Sequence, residues 1–253
     1  MDIDRIHILP QYCIWAFIFL TSAELLSRGF SKLGIPNDSL STFHCGNIFN
    51  NYGFVAYGLI ESLYGPALLT ELFTFVIVSE IALWTRGRAL FNPRKFNFNI
   101  LIKNLPLWAF ITALTLKLNA WSPFGKIDVF DQGTYFIVSW AVPLAIFGLG
   151  GLIYHQKSHF KLKNLLAKEV TYSLTIRHLI LPPVLFILIL IFTEDNLRKA
   201  MIIEAVMPSS MMVITLAKLY GGKPEVMSLM VFCSQCLSLI TIPIWLALFI
   251  GQV

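Results

Sequence analysis

Val226-Met-Ser-Leu-Met-Val-Phe-Cys-Ser-Gln-Cys-Leu-Ser-Leu-Ile-Thr-Ile-Pro-Ile-Trp-Leu-Ala-Leu-Phe-Ile250 reads as one helix crossing a lipid bilayer. Its apolar residues run on continuously, without the alternation of a half-buried strand, and the run far exceeds strand length. A hydrocarbon core of about 30 Å takes roughly 20 apolar residues in helical form. Comparable runs recur along the chain and predict spans at Ile8–Gly29, Phe43–Tyr64, Ala67–Thr85, Asn99–Leu118, Thr134–His155, Ile176–Phe192, Lys199–Leu219 and Val226–Ile250. The expected fold is therefore an all-α membrane protein with about eight transmembrane helices. Composition agrees, with 57% hydrophobic and 13% charged residues over 253 positions. Soluble domains carry roughly 45–50% and 25%.

The first span opens on Asp2 and Asp4, with no basic leader and no small-residue cleavage site. A retained helix is expected there, and not a cleaved signal peptide. The net charge of +5 is unevenly placed when the loops are numbered alternately. Fourteen Lys and Arg, among them Arg28, Arg86, Arg94, Lys161, Arg177 and Lys223, fall on one side. Arg5, Lys117, Lys126, Arg198 and Lys199 fall on the other. Cytoplasmic loops carry such an excess. Both termini are expected outside the cytoplasm, in the plasma membrane or a bacterial inner membrane. The basic residues thus set orientation, and no nucleic-acid partner is expected.

Cys13, Cys45, Cys233 and Cys236 all fall within or beside spans and are expected to be small, buried, inert thiols. His155 and His159 are spaced as two ligands on one helix face, but Gln156, Lys157 and Ser158 between them indicate a solvated face. No metal and no cofactor are expected. No H-E-x-x-H, G-x-S-x-G or clustered-aspartate motif is present, so an enzyme is not expected either.

Two spans depart from the pattern. The second reads Cys45-Gly-Asn-Ile-Phe-Asn-Asn-Tyr-Gly-Phe-Val-Ala-Tyr-Gly58 and places Asn47, Asn50, Asn51 and Gly53 where hydrocarbon should be. Unsatisfied polar groups cost several kcal/mol each in lipid. Asparagine competes for its own backbone and glycine loosens the helix, so this span is expected to unwind. The seventh carries Glu204-Ala-Val-Met-Pro208-Ser209-Ser210. Pro208 removes a backbone donor and frees the carbonyl one turn earlier, beside two hydroxyls that can answer it.

The two interruptions stand in matching places. Leu63-Tyr64-Gly65-Pro66 ends the second span, and Leu219-Tyr220-Gly221-Gly222-Lys223-Pro224 ends the seventh. Spans 1–3 then read as a copy of spans 6–8, inverted because the second and seventh cross in opposite directions. Residues 1–85 are expected to form one unit and 176–253 the other, with the helix pair of 99–155 between them, within a single domain. Paired interrupted helices in inverted halves point to the site of a secondary transporter.

At these residues the chain resembles the auxin efflux carrier family of permeases. Glu204-Ala-Val-Met-Pro208-Ser-Ser, Ala217-Lys-Leu-Tyr-Gly-Gly222 and Leu237-Ser-Leu-Ile-Thr-Ile-Pro-Ile-Trp245 are similar to its last two helices. Gly46-Asn47 and Asn51-Tyr-Gly-Phe54 resemble its fourth. The resemblance implies ten helices in two inverted halves, of which this chain matches the third onward, and Gly58 stands at the expected crossover proline. It also implies a small organic anion as substrate and a scaffold that supports dimers. A homodimer, or a membrane partner completing the scaffold, is expected; the alternative is a non-transporting subunit derived from such a carrier.

Ionisable residues within spans are functional candidates by default. Glu80 lies close to Arg86 and reads as an interfacial acid. Glu71 is balanced between a bland and a functional role. Glu204, one turn before Pro208, is expected to bind a coupling proton or a substrate cation, or to cap freed backbone. The expected substrate-binding set is Asn47, Asn50, Asn51, Gly53, Glu204, Pro208, Ser209 and Ser210.

Overall fold

Where the structure describes them, the apolar runs fold as helices, the form in which a segment satisfies most of its backbone groups internally, as lipid requires. The computed structural model describes residues 9–53, 55–65, 68–92, 160–192 and 194–250, with single positions between 105 and 154. Helix α1 spans Leu9–Ser31, and Arg28 in its last turn suits the negative end of its dipole. Helices α2 (Leu40–Ile48) and α3 (Val55–Tyr64) follow. Helix α4 runs Leu69–Ala82, widens into a π turn at Leu83–Gly87 and ends at Arg88–Phe91.

Helix α5 extends over Lys168–Ile189 and contains a second π turn, Ile176–Ile180. Helices α6 (Asp195–Ala205), α7 (Met212–Tyr220) and α8 (Pro224–Ile250) complete the described chain. Among the described residues there is no strand. The fourth and fifth predicted spans, and with them His155 and His159, lie outside the described residues apart from isolated helical positions such as Leu105 and Leu144.

Among the described residues three helices, over Pro10–Ser31, Lys168–Ile189 and Pro224–Phe249, are long and apolar enough to cross a membrane. Two predictions need correction. The sixth span starts at Lys168 and not at Ile176, which moves Arg177 from a loop into the middle of a spanning helix. The cysteines do not share one environment: Cys45 is buried, whereas Cys13 and Cys236 are exposed on helix faces.

The helices turn apolar side chains outward and polar ones inward. Phe17 on α1 is 70% exposed and Leu239 on α8 is 78% exposed, whereas Asn47, Arg177, Glu204 and Ser209 are buried. Such apolar outer faces suit lipid, which exacts no cost for them.

Among the described residues three apolar clusters hold the helices together. The largest joins Trp15 and Phe19 of α1 to Phe75 of α4, Leu185 of α5 and Met201 of α6. The second joins Cys45 and Ile48 of α2 to Leu216 of α7 and Met227 of α8. The third joins Phe43 of α2 to Ile176 of α5 and Met230 of α8. Between α2 and α3 the chain passes from the second cluster, which holds Phe49, into the first, which holds Tyr52. The functional candidates lie at that passage.

Candidate functional site at the crossing of two interrupted helices

The helix that stops at Ile48 resumes at Val55, and the one that stops at Ala205 resumes at Met212. The interruptions fall where asparagine, glycine and proline weaken the helical ladder. The two unwound stretches pair with each other. Asn50 faces Ser209 in an isolated antiparallel bridge. The Asn51 N–H donates to the Pro208 carbonyl at 2.7 Å, and the Ser210 N–H donates to the Phe49 carbonyl at 2.9 Å. Each stretch thereby satisfies backbone groups that its neighbour's break had freed.

Pro208 cannot donate to the carbonyl of Glu204, four residues earlier. That carbonyl accepts from the Asn50 side-chain amide at 3.0 Å, and the same nitrogen donates to Glu204 Oε2 at 2.6 Å. Glu204 therefore neither continues a helix toward Pro208 nor shares a helix face with it, since α6 ends at Ala205. Its carboxylate is directed at the other interrupted helix. Helices α3 and α7 each end at a glycine of positive φ, Gly65 at 74° and Gly221 at 85°, directly after a tyrosine. At the second, the Gly222 N–H closes back on the Ala217 carbonyl at 2.8 Å, a Schellman cap.

A buried polar network supports the crossing. Asn47 donates to the Phe43 carbonyl at 2.7 Å and accepts from the Ser173 hydroxyl at 3.0 Å. Its own carbonyl, at the end of α2, accepts from Arg177 Nη2 at 2.7 Å. Arg177 is 0% exposed, lies over the Phe19 ring at 5.7 Å and interacts electrostatically with Glu204. Its Nε and Nη1, and Glu204 Oε1, have no hydrogen-bond partner among the described residues. His178 is hydrogen-bonded through one ring nitrogen to Thr241 and through the other to Ser234, both at 2.9 Å. Ser234 in turn accepts from the Ser209 N–H at 3.0 Å, and Gln235 donates to the Ser209 carbonyl at 3.0 Å.

The residues just beyond the bridge on both stretches open a cavity of about 170 Å³. Asn51, Gly53 and Ser210 line it, together with Tyr52 and Glu80. The Tyr52 hydroxyl donates to Glu80 Oε1 at 3.2 Å, and Trp84 Nε1 donates to Oε2 at 2.8 Å. Arg86, which made Glu80 look interfacial, pairs instead with Glu24 on α1, as does Arg28. Glu80 is thus a wall of the cavity. The side chain of Glu71 lies outside the described residues.

Of the eight predicted site residues, Asn51, Gly53 and Ser210 line the cavity. Asn50, Pro208 and Ser209 form the bridge. Asn47 and Glu204 sit at the ends of α2 and α6, both buried and bonded to protein groups. Sequence reading missed Arg177, His178, Tyr52 and Glu80. For Arg177 and Glu80 the available signal was a charge within helical reach of a span.

The family described as "Membrane transport protein" matches residues 97–246, more than half of the chain. The match takes in α5, α6, α7 and most of α8, and so includes Glu204, Pro208, Ser209 and Ser210. No curated protein and no solved structure matches the chain. With two interrupted helices crossing at a small cavity, and with this match, the chain belongs to the membrane transport protein family, that of the auxin efflux carriers.

Proposed function

We propose that the chain is a secondary carrier of small organic anions, working by alternating access around the crossing of α2–α3 with α6–α7. The observation that carries this reading is the antiparallel pairing of Asn50 with Ser209 beside a cavity lined from both interrupted helices. The cavity reaches Met212, where α7 begins, and Gly53, just ahead of α3. Helix N-termini carry N–H groups without intrahelical partners and the positive end of the helix dipole, which favour a carboxylate; at α7 the Met212 N–H is met by the Ser210 hydroxyl at 3.3 Å. The Asn51 and Ser210 side chains stand beside them as polar groups to orient it.

The inverted-repeat organisation, with core units 1–85 and 176–253 around a scaffold pair 99–155, belongs to the same proposal. The matching gaps, the antiparallel direction of the two breaks and the Tyr-Gly endings support it. Glu204 is the buried carboxylate placed to take a coupling proton. Setting aside Arg177, buried in mid-span, leaves thirteen Lys and Arg on one side (fourteen less one) against five on the other. The excess still favours both termini outside the cytoplasm, in the plasma membrane.

The test is counterflow in proteoliposomes with a pool of small mono- and dicarboxylates, comparing the native chain with Pro208→Ala and Asn51→Ala. Exchange by the native chain with a marked loss in both variants is the expected outcome. Native rates in both variants would overturn the site assignment.

A further inference from the structure

The cavity has an acidic wall and no basic one. Among the described residues lining it there is no Lys, Arg or His. Its charged side chain is Glu80, held by the neutral donors Tyr52 and Trp84, one on each oxygen. A carboxylate has about four acceptor positions, so two hydrogen bonds leave room for further donors. Among the described residues Glu80 has no cationic partner, because Arg86 and Arg28 both turn to Glu24. A carboxylate in a low-dielectric wall repels a purely anionic ligand and calls for a cation.

We infer that Glu80 binds an ammonium group of the substrate, so the carried molecule is a small zwitterion of amino-acid type, its carboxylate at the helix breaks and its amine at Glu80. This rests on the reading of the crossing as the substrate site, and selects among carboxylate-bearing substrates those that also carry an amine. The cavity volume of about 170 Å³ suits such a size. It falls below the roughly 300–1,000 Å³ of cavities that hold drug-sized ligands. Tyr52 and Trp84 position the carboxylate, and their neutrality leaves its charge available.

The experiment uses proteoliposomes loaded with a pool of the standard amino acids, or with a pool of the same skeletons lacking the amino group. Release is followed by mass spectrometry. The native chain should release one or more amino acids, and their deaminated counterparts about tenfold more slowly or less, because a site built for an N–H donor rejects the analogue lacking it. Glu80→Gln, which keeps the size and an acceptor for Tyr52 or Trp84, should abolish this preference. Glu80→Asp, which keeps the charge, should retain it. Equal or faster release of deaminated acids overturns the inference, as does an unchanged preference in Glu80→Gln. Release of neither pool overturns both this inference and the carrier reading, whereas release of the deaminated acids alone, lost in Pro208→Ala and Asn51→Ala, overturns the inference and leaves the carrier reading standing.

Discussion

The side chain of Asn50 spans the two interrupted helices, its amide nitrogen 2.6 Å from Glu204 Oε2 and 3.0 Å from the Glu204 carbonyl. One residue thus reaches a buried carboxylate and also the carbonyl that Pro208 cannot serve, which accepts from the Met207 N–H at 3.3 Å as well. Leaving a buried acceptor unpaired costs about 1–3 kcal/mol, and more for a charged one. Asn50→Ala is expected to lower the melting temperature in detergent clearly. Asn50→Asp, which sets two carboxylates together, is expected to lower it further. Native-like melting of both would show that the contact is dispensable.

Arg177 and Glu204 are both buried and interact electrostatically across the crossing. Each single neutralisation, Arg177→Met or Glu204→Gln, leaves the other charge without compensation. The double variant is expected to be less destabilised than the two single effects combined, with a coupling on the order of 0.5–3 kcal/mol. A double-mutant cycle of unfolding midpoints measures it, and strict additivity would mean the two groups act independently.

Two glycines at close contacts should respond differently to alanine. A Cβ on Gly46 would meet Met230 Cε at 2.6 Å and Met227 Sδ at 3.0 Å, both on flexible side chains that can yield. A Cβ on Gly222 would meet the Phe91 ring at 2.5 Å and the Ala217 backbone at 3.0 Å. Overpacking against groups that cannot move costs about 1–3 kcal/mol. Gly222→Ala is expected to be the more damaging, as read by thermal unfolding; the reverse order would contradict this packing.

Outside the spans, Lys223 Nζ lies 2.6 Å from Asp38 Oδ2 and ties the turn before α8 to the approach to α2. The hydrogen bond from Lys223 lowers the Asp38 pKa below its ordinary carboxylate value. A depressed folded pKa contributes stability above the unfolded value and loses it as pH falls through the folded one. Lys223→Met is therefore expected to lower the melting temperature slightly at neutral pH. The difference should vanish in acid below the carboxylate range and shrink with salt. A difference that grows on acidification would contradict the sign.

The interruptions were legible because Pro208 and the Asn50-Asn51 pair violate what hydrocarbon requires of a helix. Their mutual pairing was not, since Asn50 and Glu204 are 154 positions apart. Arg177 was misread because the apolar stretch after it is strong enough to start a span unaided. The preceding Thr171, Ser173 and Thr175 hid the helix that actually begins at Lys168. Glu80 was read beside its neighbour in sequence, Arg86, whose partner Glu24 lies 62 positions away and leaves Glu80 to Tyr52 and Trp84. Periodicity reports which helices exist, and long-range hydrogen bonds decide which of their polar residues meet.

The buried guanidinium of Arg177 has one more consequence. A unit charge carried through the whole membrane potential changes energy by about 2.3 kcal/mol per 100 mV. Any motion that carries α5 and α6 together across the bilayer moves Arg177 and Glu204 as one dipole. With Glu204 ionised the pair is electrically neutral, and the voltage does no net work on it. With Glu204 protonated the same displacement moves a net positive charge. In the carrier proposed above, the membrane voltage would therefore act on this pair selectively, according to whether Glu204 holds a proton.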